Sequence, residues 1–237
     1  MAQSKQKAID RMVIIEAPDK YDNKTFHANF QPEKETGNDV LYTSELAIGY
    51  DHPLSVVSLD LKRGEKLGIL GGNGLGKSTF LKTIVGKIPA LSGEYRFGTN
   101  VQIGYFDQQM AMYTSNKTVL DDFWDEYPNL TETEARNALG AFLFSGDDVF
   151  KNVNMLSGGE KVRLALCKIL KTRPNVLVLD EPTNHMDIVG KETLESMLKD
   201  YKGTLIFVSH DRYFVKKVAT QLLVFEDGTT NLYQFGY

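Results

Sequence analysis

The 237-residue sequence predicts an α/β fold with a mostly parallel core sheet covered by helices. Continuous apolar runs at 176–179 (VLVL) and 205–208 (LIFV) are typical of strands that are buried on both faces. The helical pattern KETLESMLKDY lies between these two runs. Strand, helix and strand in this order indicate a parallel sheet with helices on its faces.

The other elements follow from the same hydrophobic patterns, taken in chain order. An N-terminal antiparallel β part comes first, and helical patterns over about 114–156 predict an inserted helical subdomain. Two short strands are expected to close the chain. The predicted strands lie near 40–49, 55–61, 66–70, 94–97, 101–106, 175–180 and 204–209, and the helix that follows the third strand spans 77–86.

The first 38 residues differ in composition from the rest of the chain. Residues 1–16 form a charged helical pattern with little apolar surface, and residues 17–38 are polar and contain two prolines. We therefore expect the end of a linker and an extended connector over 1–38, and one domain over 39–237.

Composition limits the classes of function. A net charge of -4 gives no sign of a polyanion-binding surface, so direct DNA binding is not expected. The one cysteine, Cys167, cannot form an internal disulfide and falls on the apolar side of a predicted helix, where a core position is expected. No apolar run reaches the roughly 18 residues of a membrane span, and no signal-peptide pattern opens the sequence. These features predict a cytoplasmic protein.

A glycine-rich segment between a strand and a helix is the first motif with chemical meaning. It reads GGNGLGKS and fits the pattern G-x-x-x-x-G-K-[ST]. Glycines let backbone N–H groups surround a phosphate, the helix N-terminus adds partial positive charge, and the lysine adds a full charge. The serine is placed to bind Mg²⁺. The candidate phosphate-binding residues are Gly71, Asn73, Gly74, Gly76, Lys77 and Ser78.

Two acidic residues, Asp180 and Glu181, end the apolar strand of NVLVLDEP. Carboxylates at the carboxyl end of a parallel strand face the crevice where ligands bind. Asp180 is suited to hold Mg²⁺, and Glu181 to orient or polarise a water molecule. Two solvated turn acids are the alternative interpretation.

His210 and Gln108 also follow predicted strands. His210 could donate a hydrogen bond to a γ-phosphate, although a histidine at a strand end is often structural. Gln108 could reach the metal or a water through its amide oxygen, and its neighbour Gln109 is the competing choice.

A second glycine-rich helix start, LSGGE, contains no lysine. Ser157 and Glu160 fit the capping box S-x-x-E, which explains both without any ligand. A cap does not explain Gly158 and Gly159, because each glycine costs up to about 1 kcal/mol in a helix relative to alanine. We interpret them as allowing a ligand to approach the backbone, on the side of a γ-phosphate opposite the first glycine-rich loop. The two elements are then expected not to meet within one copy.

Together, GGNGLGKST, Gln108, LSGGE, VLVLDEP and His210 resemble the nucleotide-binding domain of ATP-binding cassette proteins over about 40–236. The resemblance implies the P-loop NTPase fold of that family, ATP and Mg²⁺ as ligands, and ATP hydrolysis. It also implies that two such domains stack head to tail, with ATP between the phosphate loop of one and LSGGE of the other.

The resemblance further implies roles for individual residues. Lys77, Ser78 and Thr79 would hold the phosphates and metal, and Glu181 would be the catalytic base. Tyr50 would stack on adenine, the alternative being an aromatic side chain that fills the sheet edge. Asp187 would lie on a loop that crosses to the opposite site.

Within that family, LDEPTNHMDI and VSHDRYFV resemble the F subfamily, whose members act on the ribosome and carry two cassettes joined by a charged linker. Residues 1–38 resemble the end of that linker. The resemblance implies an ATP-driven clamp in translation regulation or in antibiotic resistance by ribosome protection, with a missing N-terminal half or a second copy as partner. We therefore expect a fragment or a truncated reading frame. Met186 replaces the usual leucine, which conserves volume.

Two other functions are compatible with parts of the sequence. One is the ATPase subunit of a membrane transporter, which PTNHMD, SHDRYF and the linker-like N-terminus argue against. The other is a module that clamps on ATP and hydrolyses it only for release.

Overall fold

Two β-sheets organise the part of the chain that the computed structural model describes, residues 30–234. The sequence-based predictions for residues 1–29 lie outside this range. The strands of residues 30–234 are β1 (Asp39–Gly49), β2 (Pro53–Lys62), β3 (Lys66–Gly71), β4 (Ser92–Phe97), β5 (Ile103–Phe106), β6 (Val176–Asp180), β7 (Thr204–Val208), β8 (Gln221–Glu226) and β9 (Thr229–Gln234).

The helices lie between these strands. The α-helices of the described range are α1 (Lys77–Ile84), α2 (Val119–Trp124), α3 (Glu132–Gly140), α4 (Gly158–Lys171), α5 (Ile188–Asp200) and α6 (Arg212–Val218). Short 3-10 helices occur at Gln108–Met112, Gly146–Phe150 and Val153–Met155. Within residues 30–234, none of the helices combines the length and the hydrophobicity that a membrane span requires.

The smaller sheet is antiparallel and has the order β2-β1-β4. Its burial follows the side-chain alternation of β2, in which Val57, Leu59 and Leu61 face the core and the residues between them face solvent. Such alternation is typical of a sheet with one buried face.

The larger sheet has the order β5-β6-β7-β3-β8-β9, in which all pairs are parallel except β8 with β9. All residues of β6 and β7 are buried, as their continuous apolar sequences predict. The predicted α/β class, with a mostly parallel core sheet and an antiparallel β part, is therefore confirmed.

The register of the parallel strands sets the positions of the segments that carry the predicted phosphate-binding and acidic residues. Val208 of β7 lies opposite both Asp180 of β6 and Ile69 of β3. β6 and β7 therefore end at the same level, and β3 continues two residues further, to Gly71. The segments that follow all three strands emerge at one edge of the sheet.

The sequence analysis did not anticipate α6, which follows β7 after a short turn. Asp211 caps this helix, since its side chain accepts hydrogen bonds from the N–H groups of Tyr213 and Phe214. Phe214, Val215 and Val218 bury the apolar face of the helix. The helix that follows the phosphate loop also ends earlier than expected, at Ile84.

Residues 30–38 already contact the body of the domain. Phe30 is buried and packs edge-on against Phe142, with ring centroids 5.2 Å apart. The side chain of Gln31 donates to the carbonyl of Asp200. The proposed division of the chain at residue 38 remains a prediction.

Gly104 of β5 and Gly140 at the end of α3 give a matched test of the packing. A methyl group on Gly104 would lie 2.7 Å from Ile169 Cγ2 and 2.8 Å from Pro174 Cγ, whereas one on Gly140 meets no atom within 4 Å. We expect Gly104→Ala to lower the free energy of unfolding by about 1–3 kcal/mol through overpacking. Gly140→Ala is expected to raise it by about 0.5–1 kcal/mol through helix propensity. Urea unfolding measures both, and a Gly104→Ala variant as stable as the wild type would contradict the packing.

Candidate functional site

The loop between β3 and α1 has the geometry of an anion-binding loop. Gly76 is the N-cap of α1 and has a φ of 100°, in the left-handed region that favours glycine. The N-cap residue has no side chain, so the first N–H groups of this helix donate no hydrogen bond to a capping side chain. Free N–H groups at a helix N-terminus attract phosphate oxygens.

Lys77 places its ammonium group inside the curve of this loop. Its Nζ donates hydrogen bonds to the carbonyl oxygens of Gly71, at 2.9 Å, and Gly72, at 2.7 Å. Burial lowers the pKa of Lys77, and the nearby Glu181 and Asp180 oppose that shift. A phosphate in the loop would add a negative partner for this partly desolvated charge.

Ser78 and Asp180 meet at the carboxyl end of β6. Ser78 Oγ donates a hydrogen bond of 2.9 Å to Asp180 Oδ1, although 102 residues separate them in the sequence. Asp180 is buried, and this burial raises the pKa of its carboxyl group. A hydroxyl and a carboxylate oxygen in contact are the type of donor set that Mg²⁺ prefers, so these residues fit the metal that the sequence resemblance implies.

Glu181 occupies a buried and strained position directly after Asp180. Its φ is 53°, and its backbone N–H donates to the carbonyl of Val208 at 3.0 Å. Burial raises the pKa of its carboxyl group, and the charge of Asp180 acts in the same direction. A carboxyl group with a raised pKa is suited to accept a proton.

His210 lies against Glu181 through its backbone and its ring. The backbone N–H of His210 donates to Glu181 Oε2 at 3.2 Å, and His210 Nε2 lies 3.2 Å from Glu181 Oε1. Within residues 30–234, Oε1 is buried and accepts no hydrogen bond of good geometry. A buried oxygen without a donor is where a water molecule would bind favourably.

Gln108 begins the 3-10 helix after β5 and is exposed. Among the described residues, no hydrogen bond connects it with Ser78 or Asp180.

The sequence analysis missed Asp107, which directly precedes Gln108. Asp107 is buried, accepts hydrogen bonds from the N–H groups of Gln109 and Met110, and pairs with Lys87 Nζ at 2.8 Å. An acid at the end of β5, beside β6, was the signal that could have identified it.

The second glycine-rich helix start has a structural explanation that the sequence argument lacked. Ser157 and Glu160 form the reciprocal capping box at the start of α4. A Cβ on Gly159 would lie 2.6 Å from the carbonyl oxygen of His185, so the protein itself occupies the space that this glycine opens. His185 has a φ of 64° and shapes the turn after the acids. The helix-propensity cost of Gly159 is therefore explained without a ligand. Ser157 and Gly158 remain exposed.

The structure brings together five of the predicted site residues, namely Lys77, Ser78, Asp180, Glu181 and His210.

Other predicted residues lie outside this group. Tyr50 is 62% exposed and does not fill the sheet edge. Asp187 caps α5 by accepting from the N–H of Gly190 at 2.8 Å. In the described range, no hydrogen bond joins Ser157 to Lys77 or Ser78. Asn73 and Gly74 lie in the phosphate loop, and Thr79 is buried in α1.

Comparison with known proteins gives consistent results. The ABC transporter family matches residues 54–184. YdiF of Bacillus subtilis is 50% identical over 225 residues, which are 94% of this chain and 35% of YdiF. ABC transporter F family member 5 of Arabidopsis thaliana is 38% identical over 240 residues, which are 100% of this chain and 34% of that protein. The chain thus spans between a third and a half of the length of the curated relatives it matches.

Solved structures share the fold. A dimeric ATP-binding cassette in a post-hydrolysis state, bound to ADP and Pi, has a TM-score of 0.69 at 19% identity, over 83% of this chain and 99% of that chain. A bacterial Atm1-family ABC exporter with ATP bound has a TM-score of 0.73 at 18% identity, over 86% of this chain and 40% of that chain.

The raised pKa of Glu181 predicts a pH-dependent effect of Glu181→Gln on stability. A carboxyl group whose pKa is higher in the folded state destabilises that state at pH values above the folded pKa, and this effect disappears below its ordinary pKa of 4.5. In the absence of nucleotide and metal, Glu181→Gln should therefore be more stable than the wild type at pH 8, with a smaller difference at pH 5. Urea unfolding at both pH values measures the difference in free energy of unfolding between the variant and the wild type. An equal difference at pH 5 and pH 8 would contradict the raised pKa of Glu181.

Proposed function

The chain belongs to the ABC transporter family of ATP-binding cassettes, which are ATPase domains, and to its F subfamily. We propose that its residues at the carboxyl edge of the larger sheet bind ATP with Mg²⁺ and hydrolyse it. The observation that carries the proposed chemistry is the partly buried hydrogen bond from Ser78 to Asp180, beside Lys77 and Glu181. A cation, two acids and free helix N–H groups lie at one sheet edge. Together they match a phosphate and its metal ion, and few other ligands need all of these groups.

The residues have distinct roles in the proposed reaction. The loop N–H groups and Lys77 bind the β- and γ-phosphates of ATP, with Thr79 adjacent. Ser78 and Asp180 would hold Mg²⁺, with Gln108 as a further ligand, and the metal would neutralise charge on the phosphate oxygens.

Glu181 is the proposed general base. It orients a water molecule through Oε1 and accepts one of its protons, while His210 keeps the carboxylate in place and senses the γ-phosphate. The water oxygen bonds to the γ-phosphorus, the bond from that phosphorus to the bridging oxygen breaks, and ADP leaves with the electron pair of that bond. Tyr50 stacks on the adenine.

We propose that a second cassette completes the site, either another copy or a separate cassette. Ser157 and Gly158 are exposed and make no hydrogen bond to the phosphate loop of their own copy within the described residues. The dimeric post-hydrolysis cassette supports this arrangement by its fold. Ser157, Gly158 and Gly159 then face the γ-phosphate held by the partner, and Asp187 lies on the loop toward it.

Glu181→Gln separates ATP binding from turnover. Because only the proton acceptor is lost, we expect this variant to keep its ATP affinity, to lose hydrolysis by about 100-fold or more, and to accumulate an ATP-bound dimer. Malachite-green assays measure hydrolysis, size-exclusion chromatography with Mg²⁺ and ATP measures the dimer, and a nucleotide-binding titration measures the affinity.

Ser157→Ala should suppress turnover while the monomer keeps its ATP affinity. Equal turnover of Glu181→Gln and the wild type would refute the role of Glu181, and a large loss of monomer affinity in Ser157→Ala would refute completion by a partner.

We further propose that the protein acts in the cytoplasm as an ATP-driven clamp on the ribosome, in translation regulation or antibiotic resistance. The support is the similarity to F family members, at 38% identity, together with the PTNHMD and SHDRYF segments. The transporter structures with the same fold are only 18–22% identical.

Ribosome sedimentation tests this proposal. Glu181→Gln, expressed from its own gene with its full reading frame, should pellet with ribosomes in the presence of ATP, because hydrolysis cannot release it. The double variant Lys77→Ala/Glu181→Gln is the matched control and should stay in the supernatant. Equal sedimentation of the two variants would contradict the proposal, and co-purification with an integral membrane protein instead would favour a transporter subunit.

A further inference from the structure

A buried hydrogen bond joins the side chains of Thr183 and Ser209, close in sequence to the contact of Glu181 with His210. Thr183 Oγ1 and Ser209 Oγ are 3.2 Å apart, and both residues are at most 3% exposed. Thr183 is two residues after Glu181, and Ser209 directly precedes His210. The pair therefore links the two segments that carry the proposed base and its histidine.

The regular pairing of β6 with β7 ends just before these residues. The ladder's last partners are Asp180 and Val208, and one more backbone bond follows, from the N–H of Glu181 to the carbonyl of Val208. Among the described residues, no further backbone hydrogen bond joins the segments that follow, so the ladder alone does not fix the position of His210 relative to the carboxylate of Glu181.

Ser209 is itself held on its other side. Its Oγ accepts a hydrogen bond of 3.1 Å from the N–H of Asp211. Asp211 caps α6 and pairs with Lys191 Nζ of α5 at 3.2 Å. Because Ser209 Oγ already accepts from Asp211, the hydroxyl contact with Thr183 joins the β6 end to an anchored turn at the start of α6.

The contacts of His210 with Glu181 have little tolerance for a shift. The bond from the His210 N–H to Oε2 measures 3.2 Å, which is the long limit for an N–H···O hydrogen bond. A separation of the segments by a few tenths of an ångström would break it. Since misplacement of about 1 Å can cost about 100-fold in rate, such a shift is sufficient to affect turnover.

We propose that Thr183 and Ser209 are positioning residues for hydrolysis, and that their mutual hydrogen bond sets the distance between Glu181 and His210. The inference rests on the proposed ATPase role of Glu181. Neither hydroxyl touches the reacting atoms, so their effect passes through the orientation of the base.

The test compares Thr183→Val, which keeps the side-chain shape but removes the hydroxyl, with Thr183→Ser, which keeps the hydroxyl. We expect kcat of Thr183→Val to fall about 10-fold to 100-fold with KM for ATP unchanged, and Thr183→Ser to restore most of the turnover. The amide hydrogen of His210 should also exchange faster in Thr183→Val, as measured by NMR, because its bond to Glu181 is weakened.

Thr43→Val is the matched control for a loss of stability. Thr43 is 2% exposed, and its hydroxyl bonds the carbonyl of Val57 and the N–H of Leu59 in the antiparallel sheet, away from the site. It should lose thermal stability but keep the wild-type kcat and the wild-type exchange rate at His210. Wild-type kcat in Thr183→Val, or an equal loss in Thr43→Val, would overturn the inference.

Glu181→Gln, assayed beside these variants, separates the two proposals. If it is inactive and Thr183→Val is fully active, the inference about positioning fails and the role of Glu181 survives. If Glu181→Gln turns over like the wild type, the proposed function fails. In that case the exchange rate of the His210 amide alone decides whether Thr183 holds this contact, and an unchanged rate overturns it.

Discussion

The parallel pairing of β3, β7 and β6 is the constraint on which the rest of the site depends. Val208 lies opposite both Ile69 and Asp180, so β6 and β7 end at one level and β3 ends two residues beyond it, at Gly71. The phosphate loop, the two acids and His210 each follow one of these ends. A shift in this register by one residue would invert every side chain of a strand and separate Ser78 from Asp180.

Burial makes the charges of the converging groups unfavourable in the absence of a ligand. Burial raises the pKa of Asp180 and Glu181 and lowers that of Lys77, so each charge is less stable here than in water. Glu181 also adopts a left-handed φ of 53° and carries a buried oxygen that lacks a donor within the described residues. Such features persist only where the surrounding structure imposes them, and they are concentrated at functional sites. A phosphate and a divalent metal would offset these unfavourable charges.

The sequence predicted the strands and the class of fold because apolar runs and alternation are direct consequences of burial. It did not predict α6, since a seven-residue helix rich in aromatic and β-branched residues has too few turns for a clear period. Sequence motifs also identified Lys77, Ser78, Asp180, Glu181 and His210, which the fold brings together. The sequence-based explanation of Gly159 was incomplete, because the carbonyl of His185, which fills the space beside this glycine, is a tertiary contact 26 residues away. For the same reason, no pattern could identify the pair of Thr183 and Ser209, or the link from Asp107 to Lys87.

Completion of the ATP site by a second cassette is the central claim, and mixing two inactive variants tests it most directly. Lys77→Ala removes the phosphate-loop charge from one copy, and Ser157→Ala removes the hydroxyl from the other. A mixed dimer then contains one intact site, formed by Lys77 of the second variant and Ser157 of the first. The account predicts that each variant alone is nearly inactive and that ATP hydrolysis returns on mixing. No recovery at any ratio, with dimers present, would contradict it.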